Sequence, residues 1–133
     1  MTARMEYLII GIGGFLGANA RYLLGGWITR QWESQFPWGT TIVNITGSFL
    51  LGILMAYLAA RPHASPYYRL FFAIGFLGAY TTFSTFSYET LRLAQDNSVG
   101  AALWNMIGSV ALGLVGVSLG VWVGKVVMGD LPV

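Results

Sequence analysis

Four long apolar runs decide what this chain can fold into. They cover roughly Tyr7 to Ile28, Thr40 to Ala60, Tyr67 to Leu93 and Ala101 to Val127. Crossing about 30 Å of hydrocarbon takes about 20 helical residues, so each run is long enough to span a bilayer. The 133 residues are 56 % hydrophobic and only 9 % charged, with a mean hydropathy of +0.65. Ordinary soluble domains carry about a quarter charged residues, far more than this chain has. The reading is an all-α integral membrane protein, a single domain of four transmembrane helices over 1–133. The 18 glycines suit helices that pack backbone to backbone in lipid.

The connections agree with that division. Thr29-Arg30-Gln31-Trp32-Glu33-Ser34-Gln35 is polar, and Pro37 with Trp38 opens the second run. Proline suits a helix's first turn and tryptophan the headgroup level. Arg61-Pro62-His63-Ala64-Ser65-Pro66 ends that run, since no helix continues through both prolines. Gln95-Asp96-Asn97-Ser98 forms the last turn. The first run passes straight into a glycine-rich span with no small-residue cleavage site, so it reads as a transmembrane helix rather than a leader. The chain has no cysteine, which excludes disulfides and thiolate metal sites. Its net charge of +2 says little about acidic partners, and no nucleic-acid partner is expected.

An even number of spans puts both termini on one side of the membrane. Arg4, Arg61, Arg69 and Lys125 fall on that side; Arg30 and Arg92 fall opposite, with Arg21 if it snorkels outward. Positive charge in short loops normally sets orientation, and here it is nearly balanced. Either a small protein with short loops has few charges to distribute, or the chain inserts both ways and pairs with an inverted copy.

Polar residues inside spans are informative because lipid offers them no partners. Arg21 stands four residues after Gly17, near enough to a helix end to snorkel, and reads as an interfacial anchor or as an aid to anion access. Asn44 and Ser48 share a face of the second span, either gluing helices together or lining a path. The third span is the most unusual. Thr81 to Ser87 places five hydroxyls and two phenylalanines in seven consecutive residues, just after Gly75 and Gly78. Threonine is only a moderate helix former, so a break is expected near Gly78 to Thr82. The alternative is a continuous helix whose threonines bond back to their own carbonyls. Unwound backbone at membrane depth must be buried in protein or face water, and its freed carbonyls are ready cation ligands. Beyond the break, Phe83 and Phe86 share a face, for packing or to present electropositive ring edges to an anion. In the fourth span Asn105 and Ser109 lie one turn apart, and Gly116, Gly120 and Gly124 form a close-packing seam.

Together these residues resemble the Fluc (CrcB) family of fluoride channels. Gly39-Thr40-Thr41-Ile42-Val43-Asn44-Ile45-Thr46-Gly47-Ser48-Phe49-Leu50-Leu51-Gly52 is similar to the family's GT…N..GSF..G pattern. Gly75-Phe76-Leu77-Gly78-Ala79-Tyr80-Thr81-Thr82-Phe83-Ser84-Thr85-Phe86-Ser87 is similar to its G…TTFSTFS stretch. Gly17-Ala18-Asn19-Ala20-Arg21 and Asn105-Met106-Ile107-Gly108-Ser109 add to the likeness. The resemblance implies an antiparallel, dual-topology homodimer in the inner (plasma) membrane, with two fluoride pores and a central structural Na+. It assigns the Na+ to backbone carbonyls of Gly78 and Thr81 from both copies. It makes Phe83 and Phe86 the aromatic lining of the pore, Asn44 and Ser109 polar pore residues, Thr82 and Thr85 nearby hydroxyls, and Arg21 the vestibule base. The chain departs from the family at Ala79 and Tyr80, where a second glycine and an aliphatic residue are common, and at Gly113, where some members carry a hydroxyl.

The chemistry suits a small, strongly hydrated anion. Amides, hydroxyls and ring edges replace lost water, and no basic residue sits at the expected pore centre to trap the ion. An enzyme is a weak rival, because the lone His63 lies between prolines and nothing pairs as nucleophile and base. A four-span, proton-coupled exporter of small cations is the alternative. It needs a carboxylate deep in the bundle, whereas Glu6 is at the membrane edge and Glu89 follows the hydroxyl run. A passive assembly subunit leaves the broken span unexplained.

Overall fold

A computed structural model describes residues 3–129. Among these residues every regular element is a helix, and four helical spans are long and apolar enough to cross a membrane. Helix α1 covers Ala3–Gln31 and α2 Trp38–Ala60. The third span is built of pieces: α3 (Pro66–Tyr68), a π-helical stretch (Arg69–Leu77), α4 (Gly78–Tyr80) and α5 (Phe83–Gln95). Helix α6 covers Val99–Met128.

Two close helix pairs make the bundle: α1 lies along the π-helical stretch, and α2 lies along α6. Glycine permits both approaches. A Cβ on Gly17 would be driven into the Phe76 carbonyl, and one on Gly120 into the Phe49 carbonyl. Gly116, Gly120 and Gly124 are all buried, so the repeat seen in the sequence is the face α6 turns to α2. In lipid, where apolar side chains gain nothing by leaving the solvent, such backbone proximity supplies the packing energy. A small buried cluster of Val43, Leu77 and Tyr80 joins α2 to the third span. Large apolar side chains such as Phe15, Leu23, Ile107 and Leu114 instead point outward, as a lipid-facing surface requires. At the α1–α2 connection Trp32 meets Trp38 edge-on at 5.3 Å and Phe36 lies 4.6 Å from Trp38, an aromatic cluster of the kind that sits at headgroup depth.

The third span is broken within the expected stretch Gly78 to Thr82, at its C-terminal end. Gly78 keeps helical angles (φ −63°, ψ −34°), and extended backbone is confined to Thr81 (φ −81°, ψ 157°) and Thr82 (φ −149°, ψ 117°). Tyr80 explains why the helix persists to that point. Its ring is buried and stacked on Phe76 at 5.9 Å, and its hydroxyl lies 2.9 Å from Thr46 Oγ1. The preceding π-helical stretch is wider than an α-helix, with the Gly78 N–H reaching five residues back to the Ala73 carbonyl. Such bulges are frequent at functional sites. The turn between α5 and α6 uses Asn97 at φ 58°, a left-handed conformation that asparagine tolerates.

Candidate functional site

The break exists because an asparagine on a neighbouring helix takes over the hydrogen bonds that the third span gives up. In a continuous helix the Thr82 N–H would donate to the Gly78 carbonyl. It donates instead to Asn44 Oδ1 at 2.8 Å, while Asn44 Nδ2 donates to the Thr82 carbonyl at 3.0 Å. One side-chain amide therefore satisfies both polar groups of Thr82. Thr82 also caps α5: its hydroxyl accepts from the Thr85 N–H at 3.3 Å and donates to Thr85 Oγ1 at 3.0 Å. Since these two N–H groups are engaged by side chains, the Gly78 and Thr81 carbonyls lose the partners a helix would give them.

A cavity of about 320 Å³ opens beside the break. Of the residues singled out from sequence, it gathers Asn44, Gly78, Thr81, Thr82, Phe83, Phe86 and Ser109, and Ser48 joins them. Among the described residues, no charged side chain lines it. The rings of Phe83 and Phe86 lie 5.8 Å apart and are tilted by 44°. Phe83 is 79 % exposed. Asn44 Nδ2 carries two N–H groups and the break uses one, so one donor remains.

Arg21 and Thr85 lie apart from this cavity. They line a neighbouring one of about 310 Å³ between α1, α2 and α5, and Thr82 borders both. The Arg21 side chain is half-buried, at the mouth that the hydroxyl pair Thr82–Thr85 also reaches.

Several polar residues beyond those predicted complete the arrangement. Asn105, 1 % exposed, donates from Nδ2 to Thr90 Oγ1 at 2.8 Å. Its Oδ1 accepts from Ser109 Oγ at 3.3 Å and from Thr41 Oγ1 at 3.4 Å. At the adjacent positions, Thr40 Oγ1 donates to Glu89 Oε1 at 2.8 Å, and Glu89 Oε2 is buried without a partner among the described residues. Glu89 borders a third cavity of about 330 Å³ with Thr40 and Arg92. Polar side chains thus run from the Phe83–Phe86 cavity along α5 toward the α1–α2 connection. A signal was present in the spacing: Thr41, Asn44 and Ser48 share one helix face, as do Phe83, Phe86 and Thr90. Which of those faces meet is a tertiary fact.

The family model described as CrcB-like protein, Camphor Resistance (CrcB) matches residues 8–121 of this chain. The chain is 49 % identical over 121 residues to a protein of Acidobacterium capsulatum named fluoride-specific ion channel FluC, covering 91 % of this chain and 97 % of that one. It is 45 % identical over 124 residues to a protein of the same name from Thermus thermophilus, covering 93 % and 97 %. A third protein of that name, from Hydrogenovibrio crunogenus, is 43 % identical over 121 residues, covering 91 % and 92 %.

Proposed function

The chain belongs to the CrcB-like family, and from that premise we infer that it is a fluoride-selective channel of the plasma membrane. It is a multi-pass ion channel and not an enzyme. The observation that carries the reading is the uncharged cavity where Asn44, Thr82, Phe83, Phe86 and Ser109 converge beside the break. Fluoride holds its water tightly, so a path must return that energy through donors. The free Asn44 N–H, the positive edges of Phe83 and Phe86 and, at the neighbouring cavity, the Thr85 hydroxyl are donors of that kind, while the Ser109 hydroxyl borders the path and gives its own proton to Asn105. With no cation among them, the ion is bound weakly enough to leave again, as conduction demands. Arg21, at the neighbouring mouth, attracts anions toward the path without sitting in it.

The fold supports a second copy. Ser84, Thr85, Ser87 and the Phe83 ring are exposed beside backbone that has left its helical bonding, and lipid tolerates no such surface. An antiparallel partner, inserted the other way up, covers it. The Gly78 and Thr81 carbonyls fit Na+, since both lack helical partners and hard cations take oxygen ligands. Each chain offers two such carbonyls and the pair of chains four. Bound there, Na+ would neutralise converging carbonyl dipoles at the interface.

Liposomes loaded with fluoride or chloride test the function. The protein is expected to release fluoride rapidly while chloride stays at the leak of protein-free vesicles. Equal permeation of the two halides would overturn the assignment.

A further inference from the structure

At the opposite end of the third span the structure holds a second cluster, unrelated to the break. Arg61 ends α2, and its guanidinium lies 4.4 Å from the centre of the Tyr57 ring. Its one side-chain hydrogen bond among the described residues runs from Nη1 to Met128 Sδ at 3.4 Å, and a thioether is a weak acceptor. Stacking fixes the guanidinium plane while most of its five donors stay unused. Arg69, near the start of the third span, lines the same cavity of about 390 Å³, together with Ser65 and the apolar Met55 and Leu58. Ser65 is shared with an adjoining groove of about 400 Å³ whose other walls are Ile9, Tyr67, Tyr68, Phe71 and Phe72.

We propose that this pair of cavities is a binding site for one anionic phospholipid, its phosphate held by Arg61 and Arg69 and an acyl chain in the aromatic groove. Three observations meet here. The helix ends Ala60 and Pro66 bracket the cluster, which puts it at headgroup depth. Within one copy, the end that holds the cluster carries Arg4, Arg61, Arg69 and Lys125 against Glu6, with Asp130 following in the sequence, whereas Arg30 and Arg92 at the other end are matched by Glu33 and Asp96. The basic cavity also continues into an apolar slot, which a free inorganic anion would leave unused. Basic residues beside a membrane helix attract anionic headgroups, and arginine grips phosphate with two parallel hydrogen bonds.

Native mass spectrometry of the full chain in detergent, titrated with phosphatidylglycerol or phosphatidylcholine, tests the site. Wild type is expected to retain phosphatidylglycerol about tenfold better than phosphatidylcholine, and the Arg61→Gln/Arg69→Gln pair to lose that preference. Arg30→Gln/Arg92→Gln, on the other side, is expected to keep it. Should the first pair lose monodispersity, Arg69→Gln alone, at an exposed residue with no partner among those described, must show the same direction of change. Equal retention of the two lipids, or a preference that survives removal of both arginines, overturns the proposal. Displacement of phosphatidylglycerol by millimolar inorganic phosphate overturns the lipid assignment and leaves a simple anion site.

Discussion

Asn44 and Tyr80 hold the break from two sides, by different physics. Asn44 answers the N–H and the C=O of Thr82 with one amide, so Asn44→Ala strands two polar groups inside the bundle. Each such loss costs about 1–3 kcal/mol. A lowered unfolding midpoint in detergent, together with slower fluoride flux, is the expected result. A variant with wild-type stability and flux would show that the break holds itself. Tyr80 acts through ring and hydroxyl separately. Tyr80→Phe removes only the contact with Thr46 and is expected to cost about 0.6–1.7 kcal/mol, with flux retained. Tyr80→Ala empties a buried, stacked position and is expected to cost about 3–5 kcal/mol. Thermal unfolding of the two variants separates these effects, and equal shifts would contradict the division. The polar character of Asn44 is plain in the sequence. That its partner is the backbone of Thr82 is not, because only the packing of α2 on the third span creates that contact.

Helices here meet through glycine, and that sets what each element tolerates. Gly17→Val presses a branched side chain into the Phe76 carbonyl, so α1 must move off the π-helical stretch. Overpacking of this kind costs about 1–3 kcal/mol or more. Gly100→Ala, where a Cβ meets nothing within 4 Å, is the matched control, expected to be neutral or slightly stabilising. Unfolding curves in detergent that failed to separate the two would remove backbone contact from the account of stability. At this scale the sequence is informative about spans and much less so about their interior. Run length and the flanking prolines mark four helices because hydrocarbon thickness admits little else. The broken third span was legible in its threonines, and the break falls at the Thr81–Thr82 end of the expected stretch Gly78 to Thr82, because Tyr80 anchors one more helical turn. The π-helical stretch left no mark in composition, since it rests on how Arg69–Leu77 packs against α1.

For the whole molecule, the described residues leave a polar, partly unwound face at membrane depth, and the proposed second copy would cover it. Brief cross-linking in membranes is expected to give a species at twice the 14.5 kDa chain mass, and a purely monomeric pattern would contradict the paired arrangement. Exchange of Na+ for a bulky organic cation is expected to slow fluoride flux, because the site proposed at the Gly78 and Thr81 carbonyls would take only a small ion; indifference to the exchange would remove Na+ from the scheme. Membership of the family was readable from the TTFSTFS stretch, Thr81 to Ser87, while the chain of contacts from Ser109 through Asn105 to Thr90 became visible only with the helices assembled. The proposed route takes fluoride along the Phe83–Phe86 face beside the break. Its most direct test is fluoride efflux from liposomes with wild type, Phe83→Ile and Phe86→Ile measured side by side. Isoleucine keeps the bulk but removes the electropositive ring edge, so both variants are predicted to be correctly assembled and severely slowed. Wild-type efflux from both would contradict the account.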